Sequence, residues 1–104
     1  MGFAGSYFIR DSSQTALPTT STQILPASSS RSFLLLENTD TVNDIWVNLA
    51  GGAAAAQGSG CIFLPKGGGV NSRIVFSSAV PTNAIFAISL VATTKLTVLD
   101  NGVA

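Results

Sequence analysis

The residues that could carry out nucleophilic, acid–base or metal chemistry are few in this chain. The sequence has no histidine and a single cysteine, Cys61. Without histidine there can be no Ser-His-Asp triad, no Cys-His pair and no histidine-based metal cluster. Cys61 is followed by Ile62 and Phe63 with no basic residue close in sequence. This context favours a small buried thiol in a strand over a reactive one.

Three further patterns resemble functional sites only in part. The run from Asn38 to Asp44 has the side chains of a calcium loop but lacks its glycine and final glutamate, so a strand-connecting loop is favoured. Lys66 and the glycines 67–69 lack the GK[ST] ending of a phosphate loop and predict a turn. Glu37 and Asp100 could act as a carboxylate pair in glycoside hydrolysis. Nothing in the sequence places them together, and we expect both to be solvated at the surface.

These observations predict a protein that is not an enzyme. We expect no catalytic residue, no cofactor-binding residue, no metal ligand and no cofactor. The composition also argues against some partners. Charged residues make up 10% of the 104 residues and the net charge is zero, so no basic surface for nucleic acid is expected. The apolar runs are too short to span a bilayer, and no signal peptide is predicted.

The elements that would position any site are predicted to be β-strands. From Ser32 onward, runs rich in Ile, Val, Phe and Leu recur about every ten residues between clusters of Gly, Pro, Asn, Asp and Ser. The predicted strands of this part are Phe33 to Glu37, Ile45 to Leu49, Cys61 to Pro65, Arg73 to Ser77, Ala84 to Val91 and Lys95 to Leu99. This spacing predicts an all-β fold, a single-domain antiparallel β-sandwich that is jelly-roll-like.

The N-terminal residues 1–32 differ in composition from the body at residues 33–104. Ser and Thr dominate the stretch from Asp11 to Ser32, and Pro18 and Pro26 interrupt it. Short strands are predicted only at Thr22 to Leu25 and near Tyr7 to Arg10. We predict an extended N-terminal arm. Two interpretations stay open, an arm that reaches a neighbouring subunit and an ordinary long connection packed on its own domain.

Two of the predicted strands are apolar on both faces, which points to a covered outer surface. They are the strands that contain Phe33 and Phe86. In an antiparallel sandwich one face of each sheet normally meets water. Cover by the arm, by another subunit or by a curled sheet would explain the pattern. Oligomerisation is therefore expected.

Further candidate interface residues come from the stretch between Ile45 and Gly69, which includes an uncharged Gly/Ala loop. Trp46 lies on the opposite face of its strand from the apolar stripe, and interface, core and ligand-stacking roles all stay open for it. The candidate interface residues are Trp46, Phe33, Phe86, Ala53, Ala54 and Gln57.

The body of the chain resembles small virion proteins of tailed bacteriophages. The resemblance lies in a Leu-rich strand followed by Glu-Asn, a W-V-N unit before a Gly/Ala loop, an apolar strand that ends in Pro, a VPT-x-A-I strand and a C-terminal KLTVL. In this sequence these are Phe33 to Asn38, Trp46 to Asn48, Gly51 to Gly60, Leu64-Pro65, Val80 to Ile85 and Lys95 to Leu99.

The resemblance implies a structural virion protein, a capsid cement or decoration protein that binds and stabilises the assembled head. Its partners would be the major capsid protein and other copies of itself in a homotrimer, without nucleic acid or membrane. It would be made in the host cytoplasm and located on the capsid exterior of the virion. The alternative is a tail or baseplate β-module that binds host surface carbohydrate through Trp46. A non-viral domain of a cell-surface or fimbrial assembly is a third possibility, disfavoured by the absence of a predicted signal peptide.

Overall fold

The chain folds into two antiparallel β-sheets. The computed structural model describes residues 8–102, which form nine strands and one short 3₁₀ helix, Val70–Ser72. The strands are β1 (Phe8–Asp11), β2 (Gln14–Leu17), β3 (Thr22–Leu25), β4 (Leu34–Asn38), β5 (Ile45–Asn48), β6 (Ile62–Leu64), β7 (Arg73–Phe76), β8 (Ile85–Ser89) and β9 (Thr94–Gly102). The all-β class and the two packed antiparallel sheets are as predicted.

The strand order follows a nested pattern. One sheet has the order β1-β9-β4-β7, with β2 also paired to β9, and the other has the order β3-β8-β5-β6. β1 and β2 pair with successive halves of β9, while β3 pairs with β8, β4 with β7 and β5 with β6. Strands from the first part of the chain therefore pair with strands from the last part, and neither sheet is a simple meander.

The core lies between the sheets and follows from the two-residue alternation of the strands. In β4 and β8 every second residue is buried, and the residues between them are half-buried on the outer face. The core side chains are Leu17, Ile24, Leu25, Leu34, Leu36, Ile45, Val47, Leu64, Ile85, Ala87, Leu96 and Val98. Both sheets contribute to this cluster, as expected for a sandwich.

The predicted strands of the body agree with the observed strands to within a few residues at each end. β9 is longer than expected, and β2 was missed because its Ser- and Thr-rich surroundings give little apolar signal. Of the four residues of β2 only Leu17 is fully buried. A single inward apolar residue is too weak a pattern to indicate a strand.

The predicted N-terminal arm is not confirmed. Within residues 8–32, β1 and β2 belong to the five-stranded sheet and β3 to the four-stranded sheet. Ser89 donates its backbone N–H to the carbonyl oxygen of Pro18, so the connection between β2 and β3 is also fastened to the sandwich. Part of the strand predicted at Tyr7 to Arg10 falls on Tyr7, which lies outside the described residues.

Candidate functional site

The groups that could do chemistry are separated in the fold. Glu37 pairs with Thr97 on the outer side of the five-stranded sheet, whereas Asp100 pairs with Leu34 and points inward. The two carboxylates therefore lie on opposite faces and form no pair. Asp100 is fully buried, so the expectation that it is solvated at the surface was wrong. Cys61 is half-buried and precedes β6, so the expected buried thiol within a strand was also wrong.

Asp100 is buried because two arginines neutralise it. Arg10 donates from Nε and Nη2 at 3.0 and 2.7 Å, and Arg31 donates from Nε at 3.4 Å. The Arg31 side chain is completely buried, and its remaining donors bind the carbonyl oxygens of Pro26, Pro81 and Asn83. The bond to Asp100 raises the pKa of Arg10. This network joins β1 and the segment before β4 to β9.

The run from Asn38 to Asp44 is a strand-connecting loop, as predicted. The Asp40 carboxylate accepts the backbone N–H groups of Val42, Asn43 and Lys95. Bonds from Val42 and Asn43 are the main reason that the pKa of Asp40 is lowered. Its oxygens are occupied by backbone donors, which is the local bonding typical of a turn.

The glycines 67–69 form a turn, which was also predicted. All three have positive φ, at 111°, 71° and 82°, a region that favours glycine. Gly69 donates its N–H to Glu37, and Arg73 donates to the same carboxylate at 2.8 Å. The bond from Arg73, followed by that from Gly69, lowers the pKa of Glu37. The turn is thus tied to the end of β4.

Most charged side chains at the surface gather at this end of the sandwich. Asp40 binds the backbone of Lys95 and accepts Gly67 N–H at its own carbonyl, and Asp44 accepts the N–H of Lys66. These contacts bring three loops together. The charged residues of this end are Glu37, Asp40, Asp44, Lys66, Arg73 and Lys95. The broad outer faces of the sheets are left with little charge.

The outer face of the four-stranded sheet is apolar and contains two of the predicted interface residues. We call the outward side chains of Phe63, Trp46, Ile88 and Phe86 the four-stranded face; Trp46 pairs with both Phe63 and Ile88. None of the residues in β3, β5, β6 and β8 is charged. Contiguous apolar surface of this kind marks interaction sites.

Trp46 itself is covered by its neighbours. Its exposed fraction is 7%, whereas Phe63 is 50% exposed. The two rings lie with centroids 5.2 Å apart at an interplanar angle of 36°, which is within the range for attractive aromatic pairs. Trp46 is therefore packed within this chain, and the exposed aromatic of this face is Phe63.

The Gly/Ala loop between β5 and β6 is anchored beside the same face. Asn48, at the end of β5, donates to the carbonyl oxygen of Ala53, and the N–H of Ala54 binds Ser21 Oγ. Ala54 is buried, while Ala53 and Gln57 are exposed. The loop is thus held near β3 by its backbone and presents small uncharged side chains.

The outer face of the five-stranded sheet is also apolar and contains Phe33. We call the outward side chains of Ile9, Phe33, Leu35, Val75 and Leu99 the five-stranded face. Leu35 pairs with Leu99 on one side and Val75 on the other. Ile9 is 51% and Val75 48% exposed. The molecule therefore has two apolar outer faces on opposite sides.

The structure brings some of the predicted interface residues together and separates others. Trp46, Phe86 and the loop with Ala53, Ala54 and Gln57 share one side, and Phe33 lies on the opposite side. Phe63, Val75 and Ile9, which are each about half exposed, were not among the predicted interface residues. The alternation in Ile62–Leu64 could have placed Phe63 outward, since its neighbours on either side are the inward residues.

The part of the chain that the structure describes contains no pocket able to enclose a small molecule. Over residues 8–102 no three His, Cys, Asp or Glu side chains are grouped so that they could hold a metal ion. No helix in that range is long and apolar enough to cross a membrane. Comparisons of the chain with family models, curated proteins and solved structures find no match.

Proposed function

We propose that this chain is a structural protein of a tailed-phage virion, a capsid cement or decoration protein that binds the assembled head. It would sit on the capsid exterior as a homotrimer in contact with the major capsid protein. The observation that carries the proposal is the pair of apolar outer faces, of which the four-stranded one has no charged residue in its strands. On the two faces Phe63, Ile9 and Val75 are each about half exposed.

Surfaces of this composition suit a subunit of an assembly. The centre of a protein interface is depleted in charge and enriched in aromatic and aliphatic side chains. The surface of a soluble domain commonly carries interspersed charges of both signs, and here most surface charges gather around Asp40 at one end. With a net charge of zero, electrostatic repulsion between copies is weak. All three features favour association.

The strand order supports a jelly-roll-like arrangement, which we include in the proposal. If β1 and β2 are counted as one interrupted strand, eight successive strands pair in nested fashion, first with last and inward to β5 with β6. Jelly rolls are double sheets of eight strands that occur in viral capsid and lectin domains, among others. The arrangement agrees with the virion proposal without carrying it, because one fold can host many functions.

The mechanism would be preferential binding to the assembled shell. A ligand that binds an assembled state and not the dissociated subunits stabilises the assembly by mass action, by about 2.7 kcal/mol per site at a hundredfold excess over the dissociation constant. The apolar faces supply the buried area, and the loop with Ala53 and Gln57 supplies close-approach contacts. No bond-making chemistry is needed.

The alternative, a tail module that binds host carbohydrate, has less support. It was based on Trp46 as the stacking platform, and Trp46 is only 7% exposed beneath Phe63. Sugar stacking needs an open aromatic surface with polar groups beside it. On the four-stranded face Asn48 already binds the backbone of the neighbouring loop. The purified chain can be tested on a glycan array. Specific binding that is lost in Phe63→Ala would support this alternative.

Co-sedimentation of the purified chain with capsid shells tests the cement proposal. We expect it to pellet with assembled shells that lack it and to raise the temperature at which they dissociate. It should not bind dissociated major capsid protein. Phe63→Asp should weaken the binding, while Val42→Asp, at an exposed loop position, serves as the matched control. Equal binding to shells and to free subunits would contradict the proposal.

A further inference from the structure

The five-stranded face has an apolar centre between two borders of opposite charge. At the β1 edge of the sheet, which we call the β1 border, Asp11 is exposed and lies directly across from Leu99, which in turn pairs with Leu35. At the opposite edge, the β7 border, Arg73 is exposed and lies two residues along the strand from Val75, the partner of Leu35. Strands β9 and β4 separate the borders, a distance of three strand spacings or about 14 Å. The two side chains cannot pair within one molecule.

Both border groups have capacity for a further bond. The Asp11 carboxylate accepts the backbone N–H of Ser13, and hydrogen bonds from the Ser13 side chain and then its backbone lower the pKa of Asp11. Within residues 8–102 it forms no salt bridge. Arg73 uses Nε for Glu37, and its two terminal nitrogens make no hydrogen bond in the described part of the chain. An anion and a cation are thus held at opposite edges of an apolar surface.

The opposite placement of the two apolar faces limits how copies can associate. If the five-stranded face of one copy packed on the four-stranded face of the next, the contact would be head-to-tail between opposite sides of the molecule. Such a contact propagates as an open stack instead of closing. A closed assembly therefore needs one face for self-association. The four-stranded face offers no charged residue to fix an orientation, whereas the five-stranded face offers Asp11 and Arg73.

We propose that the five-stranded face is the contact between copies of this chain, arranged around a symmetry axis parallel to its strands. Rotation about such an axis brings the β1 border of each copy beside the β7 border of the next. Because the rotation keeps each residue at its height along the axis, Asp11 of one subunit then lies beside Val75 of its neighbour. Arg73 of the neighbour is two residues further along β7, about 7 Å away, a distance that the long arginine side chain can span. Leu35 and Leu99 are buried near the axis. The four-stranded face points outward, and its assignment to the capsid shell rests on the proposed function.

Sedimentation equilibrium of the purified chain tests which face is used. The wild-type chain should form a closed oligomer, and Val75→Asp should weaken its association by at least about tenfold, because it buries a charge in the contact beside Asp11 of the neighbouring subunit. Val70→Asp is the matched control, since Val70 is 75% exposed and belongs to the 3₁₀ helix. Circular dichroism would show whether each variant is folded. A wild-type monomer, or equal effects of the two substitutions, would overturn the proposal.

Charge reversal tests the borders with substitutions at exposed positions. Asp11→Arg should weaken association about tenfold, because two positive groups would then meet. Adding Arg73→Asp to Asp11→Arg should restore association, because opposite charges would meet again. The single and double variants are compared in a Glu37→Gln background, so that the new aspartate does not lie beside the Glu37 carboxylate on the neighbouring strand. Restoration supports the proposed orientation, and additive weakening contradicts it.

These outcomes are independent of the proposed function. An oligomer with the predicted response to Val75→Asp that fails to bind capsid shells would refute the cement function and retain the self-association face. A chain that binds shells but sediments as a monomer would retain the cement function and refute the self-association face.

Discussion

Arg31 joins parts of the chain that are far apart in sequence. Its side chain is completely buried and binds Asp100 together with the carbonyl oxygens of Pro26, Pro81 and Asn83. A guanidinium suits this position because its five donors are held in a fixed planar fork. A lysine could not reach the same set of acceptors in the same geometry.

Replacing Arg31 is therefore expected to be strongly destabilising. Arg31→Ala leaves Asp100 with Arg10 as its only cationic partner and three backbone carbonyls unpaired, and we expect a loss of about 3–5 kcal/mol in the free energy of unfolding. Urea denaturation would measure it. Arg10→Ala is the control, and its effect should be smaller because the Arg10 side chain is 43% exposed. Equal losses in the two variants would contradict this interpretation.

The carboxylates of the charged end predict the response of the fold to acid. Backbone donors lower the pKa of Asp40, and Arg73 with Gly69 lowers the pKa of Glu37. Because each pKa is lower in the folded state than in the unfolded state, the unfolded chain binds more protons in acid. Their contribution is fully present above the ordinary carboxyl pKa of about 4 and is lost as pH falls through the folded values.

Urea denaturation between pH 6 and about pH 2 would show this dependence. We expect the free energy of unfolding to fall as the pH is lowered. In Asp40→Asn the fall should be shallower and the stability at neutral pH lower, because the amide keeps only one oxygen to accept the loop N–H groups. An unchanged slope in this variant would indicate that Asp40 does not contribute.

At the scale of the element, the pairing of β5 with β6 explains why the only tryptophan is protected on an outer face. Phe63 lies across from Trp46 and covers it, and Ile88 flanks it on the other side. Cross-strand aromatic pairs of this kind contribute roughly 0.5–1.5 kcal/mol. An edge strand of three residues is thus held in place partly by one ring.

Intrinsic fluorescence gives a direct test of this pair, because the chain has one tryptophan. We expect the emission of the folded chain to be blue-shifted, and Phe63→Ala to shift it to the red and to lower stability by about 1 kcal/mol. Val75→Ala, on the opposite sheet, should leave the emission unchanged. An unaltered spectrum in Phe63→Ala would mean that Trp46 is shielded by other groups.

How far the sequence predicted these elements depended on the strength of the local pattern. Strands such as β4, with alternating buried leucines, and β8 were found because their apolar signal is strong. Gln14–Leu17 was missed, because only its last residue is fully buried. The burial of Arg31 and Asp100 could not be predicted, since it depends on partners up to 90 residues away.

Apolar character on both sides of two strands predicted a covered outer surface. Both sheets do have apolar outer faces, and what covers them stays a prediction. Trp46 was the most prominent aromatic in the sequence, yet Phe63 is the exposed one. Cross-strand register decides which ring covers the other, and register between β5 and β6 is a tertiary property that the local pattern does not contain.

At the scale of the whole molecule, charge and apolar surface are segregated. Charged loops around Asp40 and Glu37 occupy one end, and a buried Arg31–Asp100 network lies towards the other. Two faces with apolar centres lie on opposite sides. This distribution suits a subunit that buries both faces, one against copies of itself and one against a larger body. It is the physical basis of the proposed virion function.

The copy number of this chain in purified phage particles tests that function most directly. Quantitative mass spectrometry would compare it with the major capsid protein of the same particles. A capsid cement or decoration protein is expected at a copy number comparable with that of the major capsid protein. A handful of copies per particle would instead place the chain in the tail, and its absence from particles would contradict the virion proposal altogether.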